Sequence, residues 1–433
     1  MSRAGVRAFA LVALLVLVVG CSGGRTPSRP DADSSRSNSP SPSASVSAAP
    51  SCAAISTRLV DAVQRYVDGY GAPLRDDGAE SGAQAGADDG DLQGALERSQ
   101  ADLRAAGCKL AAFRTRLDRG LQGVRARGPL ARAVLLRLQA SMTGQAATAA
   151  ETVTARPGDD LPRVLARLAP GSTVRLGPGR YRLSETLVVL QGVTVVGAGR
   201  DRTRLTAAAA GSAVLVLTDG RVELRDLTLQ HVGRKASSLL LGGPTSSVVL
   251  TGARVAGAAG RNGQGGNGVL MTADQGREKG RGTTLEVTAT EFRGNVAAGI
   301  LLTGGHQASV RRSTFVRNGQ CGVCFADSSG GAVRDSRFTR NDVGVAVLDR
   351  ARPALTSTTY VDGQVGVQAS GESRPLVRSA RVRGAARAGM IFSERAAGRV
   401  DGATCTEVPY GIVIVGRALP FLGDNDCALA RSG

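Results

Sequence analysis

The chain has no tryptophan in 433 residues, and its aromatic share is only 3%. Scarce aromatics remove the stacking platforms that read single-stranded nucleic acid or grip neutral sugar rings. Imidazole is confined to His231 and His306. His231 follows the strand-like "LRDLTLQ" and His306 opens a segment after "TGG", so turn or edge roles are expected of both before catalytic ones. Acids are outnumbered: 36 Asp and Glu stand against 54 Lys and Arg, a formal charge of +18 carried almost wholly by arginine. That balance selects anionic partners. A dinucleotide loop is missing too, because Gly197-Ala-Gly199 lacks the third glycine, Arg202 standing there, and no helical period follows. One long apolar run exists, Ala8 to Val19, preceded by Arg3 and Arg7. At about a dozen residues it is too short to span a bilayer and fits the core of a secretory signal peptide.

The run ends in Val18-Val19-Gly20-Cys21, which resembles a bacterial lipobox. The resemblance implies cleavage before Cys21, acylation of its thiol, and a membrane partnership through the lipid. The protein would then be exported and anchored to the outer face of the cytoplasmic membrane, facing the cell wall. Two or three acyl chains make a stable anchor, since each buried methylene adds about 0.8 kcal/mol. Residues 1–20 are thus expected to be the signal. Residues 21–50, rich in Ser, Pro and Ala, bury too little to fold and are expected to be a tether. A cell-surface protein meets anionic polymers and headgroups before nucleic acid, so no nucleic-acid partner is expected. Export also makes the remaining six cysteines candidate disulfides, falling as the local couples Cys52 with Cys108, Cys321 with Cys324, and Cys405 with Cys427.

Residues 51–150 carry helical period. Ile55, Leu59, Val63, Tyr66 and Tyr70 recur at three and four, as do Leu92, Leu96, Leu103, Leu110, Phe113 and Leu117 across an expected second helix. A third is expected from Pro129, with Val134, Leu135, Leu138 and Met142 on one face. A Cys52–Cys108 bridge would pin the first helix to the second. This small bundle carries no motif suggestive of chemistry, which leaves a stalk or a module for a protein partner.

From residue 155 to the end the pattern becomes β. After a short amphipathic helix expected over Leu161 to Leu168, stretches such as "ASVRRSTFVRNGQCGVCFADS", "GAVRDSRFTRNDVGVAVLDRA" and "PALTSTTYVDGQVGVQASGES" repeat one another. Phe292, Phe315, Phe338, Tyr360, Val382 and Cys405 fall 22 or 23 apart, as do Gly299, Gly322, Gly344, Gly366, Gly389 and Gly411. Val287, Val310, Val333, Leu355, Val377 and Val400 form a parallel column on the same side as the Phe column, with small residues between. Asn295, Asn318 and Asn341 form another, suiting a turn with αL backbone and ladders between coils. Such a unit cannot bury its apolar face alone, so the turns must stack into a solenoid. The leucine-rich-repeat consensus is absent. These columns, with the early "GVTVVGAG" and the amphipathic N-terminal cap, make residues 156–433 resemble the right-handed parallel β-helix of the pectin lyase superfamily. The expected fold is therefore mainly β, a right-handed parallel β-helix of about ten coils preceded by a small α-helical bundle.

That fold hosts many functions. The resemblance brings in polysaccharide lyases that use acidic clusters with calcium, and hydrolases that use aspartates, but neither motif transfers residue by residue. Asp327 and Asp349 share a column on neighbouring coils, Glu394 lying two coils beyond, and the pair could bind calcium or share a proton. Aspartate is also common in turns. An insertion, "GAAGRNGQGGNG" then "ADQGREKGRG", stretches the Val255 to Phe292 interval to 37 residues and could wall a groove with Asp274, Arg277, Glu278, Lys279 and Arg281. Gly322 and Val323 are ordinary repeat positions, which makes Cys321 and Cys324 substituents of a coil, bridged if Gly322 bends the chain. Cys405 and Cys427, 22 apart, fall one above the other on adjacent coils. Outward positions beside the Phe column hold Arg293, Arg311, Arg317, Arg334, Arg337, Arg340, Arg378, Arg381 and Arg383. A flat basic wall of this kind suits carboxylate or phosphate polymers. The leading expectation is an envelope lipoprotein binding an anionic polysaccharide or cell-wall polymer without catalysis or an obligatory cofactor. The alternatives are a polysaccharide lyase, hydrolase or epimerase, and an envelope scaffold acting through the helical bundle.

Overall fold

The computed structural model describes residues 49–71, 89–208, 210–243, 245–272 and 284–432. The signal segment, Cys21, nearly all of the tether, and Asp274, Arg277, Glu278, Lys279 and Arg281 lie outside the described residues.

Four helices come first: α1 (Cys52–Asp68), α2 (Asp89–Ala105), α3 (Leu110–Leu121) and α4 (Pro129–Thr143). Ser51 caps α1, its side chain accepting from the Ala54 N–H at 3.2 Å. The expected single second helix is two. Gly107, at φ 59°, ends α2 in a left-handed turn, and the Cys108 N–H reaches back to Leu103 O. Periodicity runs through this break because both halves face the same core, and only the glycine marks it. Cys52 and Cys108 are disulfide-bonded, with Cα atoms 5.9 Å apart, tying the start of α1 to that turn. The bundle core of Ile55, Val63, Phe113, Leu117 and Val134 continues onto Val188 and Leu215 of the β-domain.

The β-domain is built from three parallel sheets of twelve, ten and eleven strands, here sheets I, II and III. Each coil visits them in turn: Gln307–Arg311 in sheet I, Thr314–Val316 in sheet II and Cys321–Phe325 in sheet III make one coil. Ten complete coils, set by the ten strands of sheet II, lie between a lone first strand and a partial last turn. Helix α5 (Leu161–Arg167) lays Leu161, Leu165 and Ala166 into the N-terminal end. Arg137 of α4 fastens the bundle there, donating to Ala166 O and Leu168 O at 3.0 and 2.6 Å. In the fourth coil, a two-strand hairpin, Gly260–Arg261 with Gln264–Gly265, accounts for part of the long interval before Phe292.

The columns read from the sequence are ladders in register. Val287, Val310, Val333, Leu355, Val377 and Val400 pair successively along sheet I, and Phe292 through Cys405 along sheet II. Phe292, Phe315, Phe338 and Tyr360 stack with ring centroids 4.9, 4.7 and 5.0 Å apart, because rings one coil apart inherit the strand spacing of about 4.7–4.9 Å. Each contributes about 1.5–3 kcal/mol by burial and about 0.5–1.5 kcal/mol more by stacking. Gly322 is glycine because a Cβ there would lie 2.4 Å from Phe338 Cδ1 and 2.7 Å from Gly344 O.

The asparagine column needs one correction. Its ladder is present, Asn295 Nδ2 donating to Asn318 Oδ1 and Asn318 Nδ2 to Asn341 Oδ1, both at 2.9 Å. The αL residues are instead those just before it, Gly294, Arg317 and Arg340, at φ 61, 53 and 54°. The left-handed residue turns the chain, which carries the next side chain into the buried interior. Only a side chain that both donates and accepts can satisfy itself there while leaving its coil neighbours satisfied.

Candidate functional site

On sheet I the outward row one residue before the corner with sheet II reads Thr288, Arg311, Arg334, Thr356, Arg378, Asp401 from coil to coil. Across that corner on sheet II, the outward row reads Thr314, Arg337, Thr359, Arg381, Thr404. The corner itself is two residues. In the seventh coil Asp335 takes φ 50° and Ser336 turns inward, donating from Oγ to Arg334 O at 2.8 Å. Arg334 and Arg337 therefore leave the solenoid from opposite sides of one edge. The expected flat wall is a ridge, because the residues between the two rows form the bend of the coil rather than continuous strand. Arg340 lies apart, at the αL turn between sheets II and III, where it faces the Asp362 carboxylate at 3.8 Å.

Charge pairing divides the solenoid. In the third to fifth coils the arginines on these sheets are engaged. Arg221 donates to both oxygens of Glu286 at 2.9 and 3.0 Å, Arg225 to Glu223 at 2.6 Å, and Arg254 to Glu291 and Asp201 at 2.7 Å each. These guanidinium groups hold the Glu286 and Asp201 carboxyls below their ordinary pKa. Farther along, Arg311, Arg334, Arg337, Arg378 and Arg381 are all exposed and make no ion pair among the described residues. At one coil per strand spacing, Arg311 and Arg334 present guanidinium groups from positions about 4.8 Å apart. That density is worth little inside the protein and much to a polyanion able to span it.

Asp327 and Asp349 sit together in the turn from sheet III to sheet I, in a column Gly304, Asp327, Asp349, Gly371, Glu394, Gly416 that is αL throughout, at φ 55° and 57° for the two aspartates. Asp349 Oδ2 accepts from the Asp327 N–H at 2.9 Å, Asp327 Oδ2 from the Gly304 N–H at 2.8 Å, and Glu394 Oε2 from the Gly371 N–H at 3.0 Å. Each carboxylate thus braces the turn of the preceding coil. Among the described residues no three His, Cys, Asp or Glu side chains gather as a metal site.

The remaining candidates are placed as follows. Cys321 and Cys324 are disulfide-bonded within one strand of sheet III with Cα atoms 5.9 Å apart, and both are buried. Cys405 and Cys427 are bonded between successive coils with Cα atoms 4.8 Å apart. His306 is buried at a sheet III to sheet I turn, where burial pushes its pKa below the ordinary value against a hydrogen bond with the Thr272 backbone. His231 ends a sheet II strand, and its Nδ1 accepts from the Gly233 N–H at 3.3 Å. Sequence reasoning missed that three αL columns run along the later coils; Asp, Arg and Ser occupy them as well as Gly, so composition carried no signal.

A family model described as "Right handed beta helix region" matches residues 212–382 and 267–425. The β-domain is a right-handed parallel β-helix. No curated protein matches the sequence. Among solved structures, Geobacillus virus E2 ORF18 is similar at 8% identity over 73% of this chain and 64% of that one, with a TM-score of 0.34. The catalytic unit of a GH87 α-1,3-glucanase from Streptomyces thermodiastaticus is similar at 13% identity, covering 67% and 70%, with a TM-score of 0.30. The A-module of the Azotobacter vinelandii mannuronan C-5 epimerase AlgE6 is similar at 14%, covering 64% and 96%, with a TM-score of 0.28. This β-helix protein spans less than two thirds of the first of these, and none of the three bears on what it binds.

Proposed function

We propose that this β-helix protein binds an anionic polysaccharide or cell-wall polymer along the ridge between sheets I and II, and that it works in the cell envelope, held to the membrane by an acylated Cys21. The observation that carries the reading is the pair of arginine rows, Arg311, Arg334 and Arg378 beside Arg337 and Arg381, exposed and without ion pairs among the described residues, where the third to fifth coils pair theirs. Bidentate guanidinium contacts to carboxylate or sulfate groups suit a ligand with regularly spaced charge. The role is binding, and Asp327 and Asp349 serve the turns. The signal-like run before Cys21 supports export, and the arginine ridge would then meet the polymers of the wall.

The test is retention of the purified full chain on immobilised polyuronate, sulfated polymer, teichoic acid and neutral glucan at low and high salt, with released products assayed alongside. Salt-sensitive retention on an anionic polymer, lost in Arg334→Ala with Arg337→Ala, is expected. Equal retention on neutral glucan, or retention unchanged in the double variant, would remove the ridge as the site, and chain cleavage would make the protein an enzyme.

A further inference from the structure

The helical bundle carries an open cleft of about 430 Å³ between α1, α2, α3 and α4, within the range of about 300–1,000 Å³ typical of small-molecule sites. Its floor is apolar, formed by Leu59, Leu96, Phe113, Leu117 and Met142, all buried. Its wall also carries two buried hydroxyls, Ser99 of α2 and Ser141 of α4, 5% and 9% exposed. Neither makes a side-chain hydrogen bond among the described residues, so both hydroxyls face the open space. Two cations border the same space. Arg104 closes the last turn of α2, and the Arg114 guanidinium lies against Gly144, where a Cβ would meet Nη1 at 3.1 Å. Neither forms an ion pair among the described residues. Leu110, also lining the cleft, opens α3, whose N-cap Lys109 supplies no capping side chain, so first-turn N–H groups stand at the same border.

We infer that this cleft is a binding site for a single-chain anionic amphiphile, its alkyl chain on the Leu96, Phe113, Leu117 and Met142 floor and its acidic head between Arg104 and Arg114. The charge arrangement selects the head. Two unpaired guanidinium groups and an uncapped helix start favour an anion, while the floor offers nothing to a polar ligand body. The site is remote in kind from the arginine ridge, whose partner is a polymer with no apolar part. A free fatty acid and a lysophospholipid share the required chemistry.

The test titrates the purified full chain with dodecanoate, dodecanol and lauroyl lysophosphatidylglycerol below their aggregation thresholds, followed by calorimetry. Saturable binding of dodecanoate is expected, with dodecanol weaker by about tenfold or more, the worth of one charge-assisted hydrogen bond. Arg104→Gln with Arg114→Gln should bring acid and alcohol to nearly equal affinity. Leu103→Trp, which adds bulk at a half-buried lining position of α2, should abolish binding of both while circular dichroism stays unchanged. Tighter binding of the lysolipid than of dodecanoate assigns the site to a lipid, and weaker binding assigns it to a free fatty acid. No saturable binding, equal affinity of acid and alcohol in the parent chain, or unchanged binding in a folded Leu103→Trp would each overturn the inference.

Discussion

Asn318→Ala is the substitution that most directly tests how the interior is held. Asn318 is 1% exposed, and its side chain is used on both faces of its coil. Nδ2 donates to Asn341 Oδ1 at 2.9 Å and to Phe292 O at 3.3 Å, while Oδ1 accepts from Asn295 Nδ2 at 2.9 Å and from the Asn295 N–H at 3.4 Å. Truncation leaves the Asn295 N–H without its partner and Asn295 Nδ2 with only Val255 O at 3.4 Å in a dry interior. Each orphaned group costs about 1–3 kcal/mol, so the total loss is about 2–6 kcal/mol. Asn341 Oδ1 keeps the Asn318 N–H at 2.9 Å, which places the loss nearer the lower half of that range. Urea unfolding followed by far-UV circular dichroism should show a lowered midpoint, and hydrogen exchange should show loss of protection centred on the sixth coil. The double variant Asn318→Ala with Asn341→Ala should cost less than the sum of the singles by about 0.5–3 kcal/mol, the coupling expected within one network. A loss below about 1 kcal/mol, or strict additivity, would refute the claim that the column acts as a connected ladder.

Gly322→Ala drives a methyl into Phe338 and Gly344 O at 2.4 and 2.7 Å and should destabilise by about 1–3 kcal/mol; a thermal midpoint unchanged from the parent would contradict the packing described. Removing the Cys405–Cys427 bridge with paired serines frees a 22-residue separation, costing about 3 kcal/mol on chain-entropy grounds. Limited proteolysis should then cut first in the last coil, and a first cut elsewhere would count against a stapling role. His306 has its pKa lowered by burial, so the unfolded chain binds the extra proton. Stability should accordingly fall as pH drops below the unfolded value of about 6.5 and through the lower folded one. His306→Asn should flatten that slope in urea midpoints measured from pH 8 to pH 5, and an identical slope in the variant would place the titration elsewhere.

The solenoid was legible because each of its coils states the same rule. Phe315 alone says little, but Phe292, Phe338 and Tyr360 at the same interval force one geometry, and the ladder registers follow from it. Helix break and corner shape were not legible in this way. Gly107 interrupts a run whose apolar spacing continues, so period could not show the turn. The ridge depends on Asp335 and its column being left-handed, and aspartate adopts that conformation without any mark in the pattern. The neighbouring placement of Asp327 and Asp349 followed from their shared column, but the column gave proximity and left open what the oxygens do. The hydrogen bonds to the backbone of the preceding coil depend on where each carboxylate points, which spacing does not encode.

The uniform length of the coils from the fifth onward has a consequence for how such a chain changes over generations. Because neighbouring coils pair residue for residue at intervals of 22 or 23, as Gln307 pairs Gly330 and Gly330 pairs Arg352, an in-frame duplication or loss of one unit joins strands that already match. The gene can therefore lengthen or shorten the rod by about 4.8 Å at a time without rewriting its interior. Each such event would also move the arginines past one another, so the charge spacing along the ridge can drift or be selected by recombination alone.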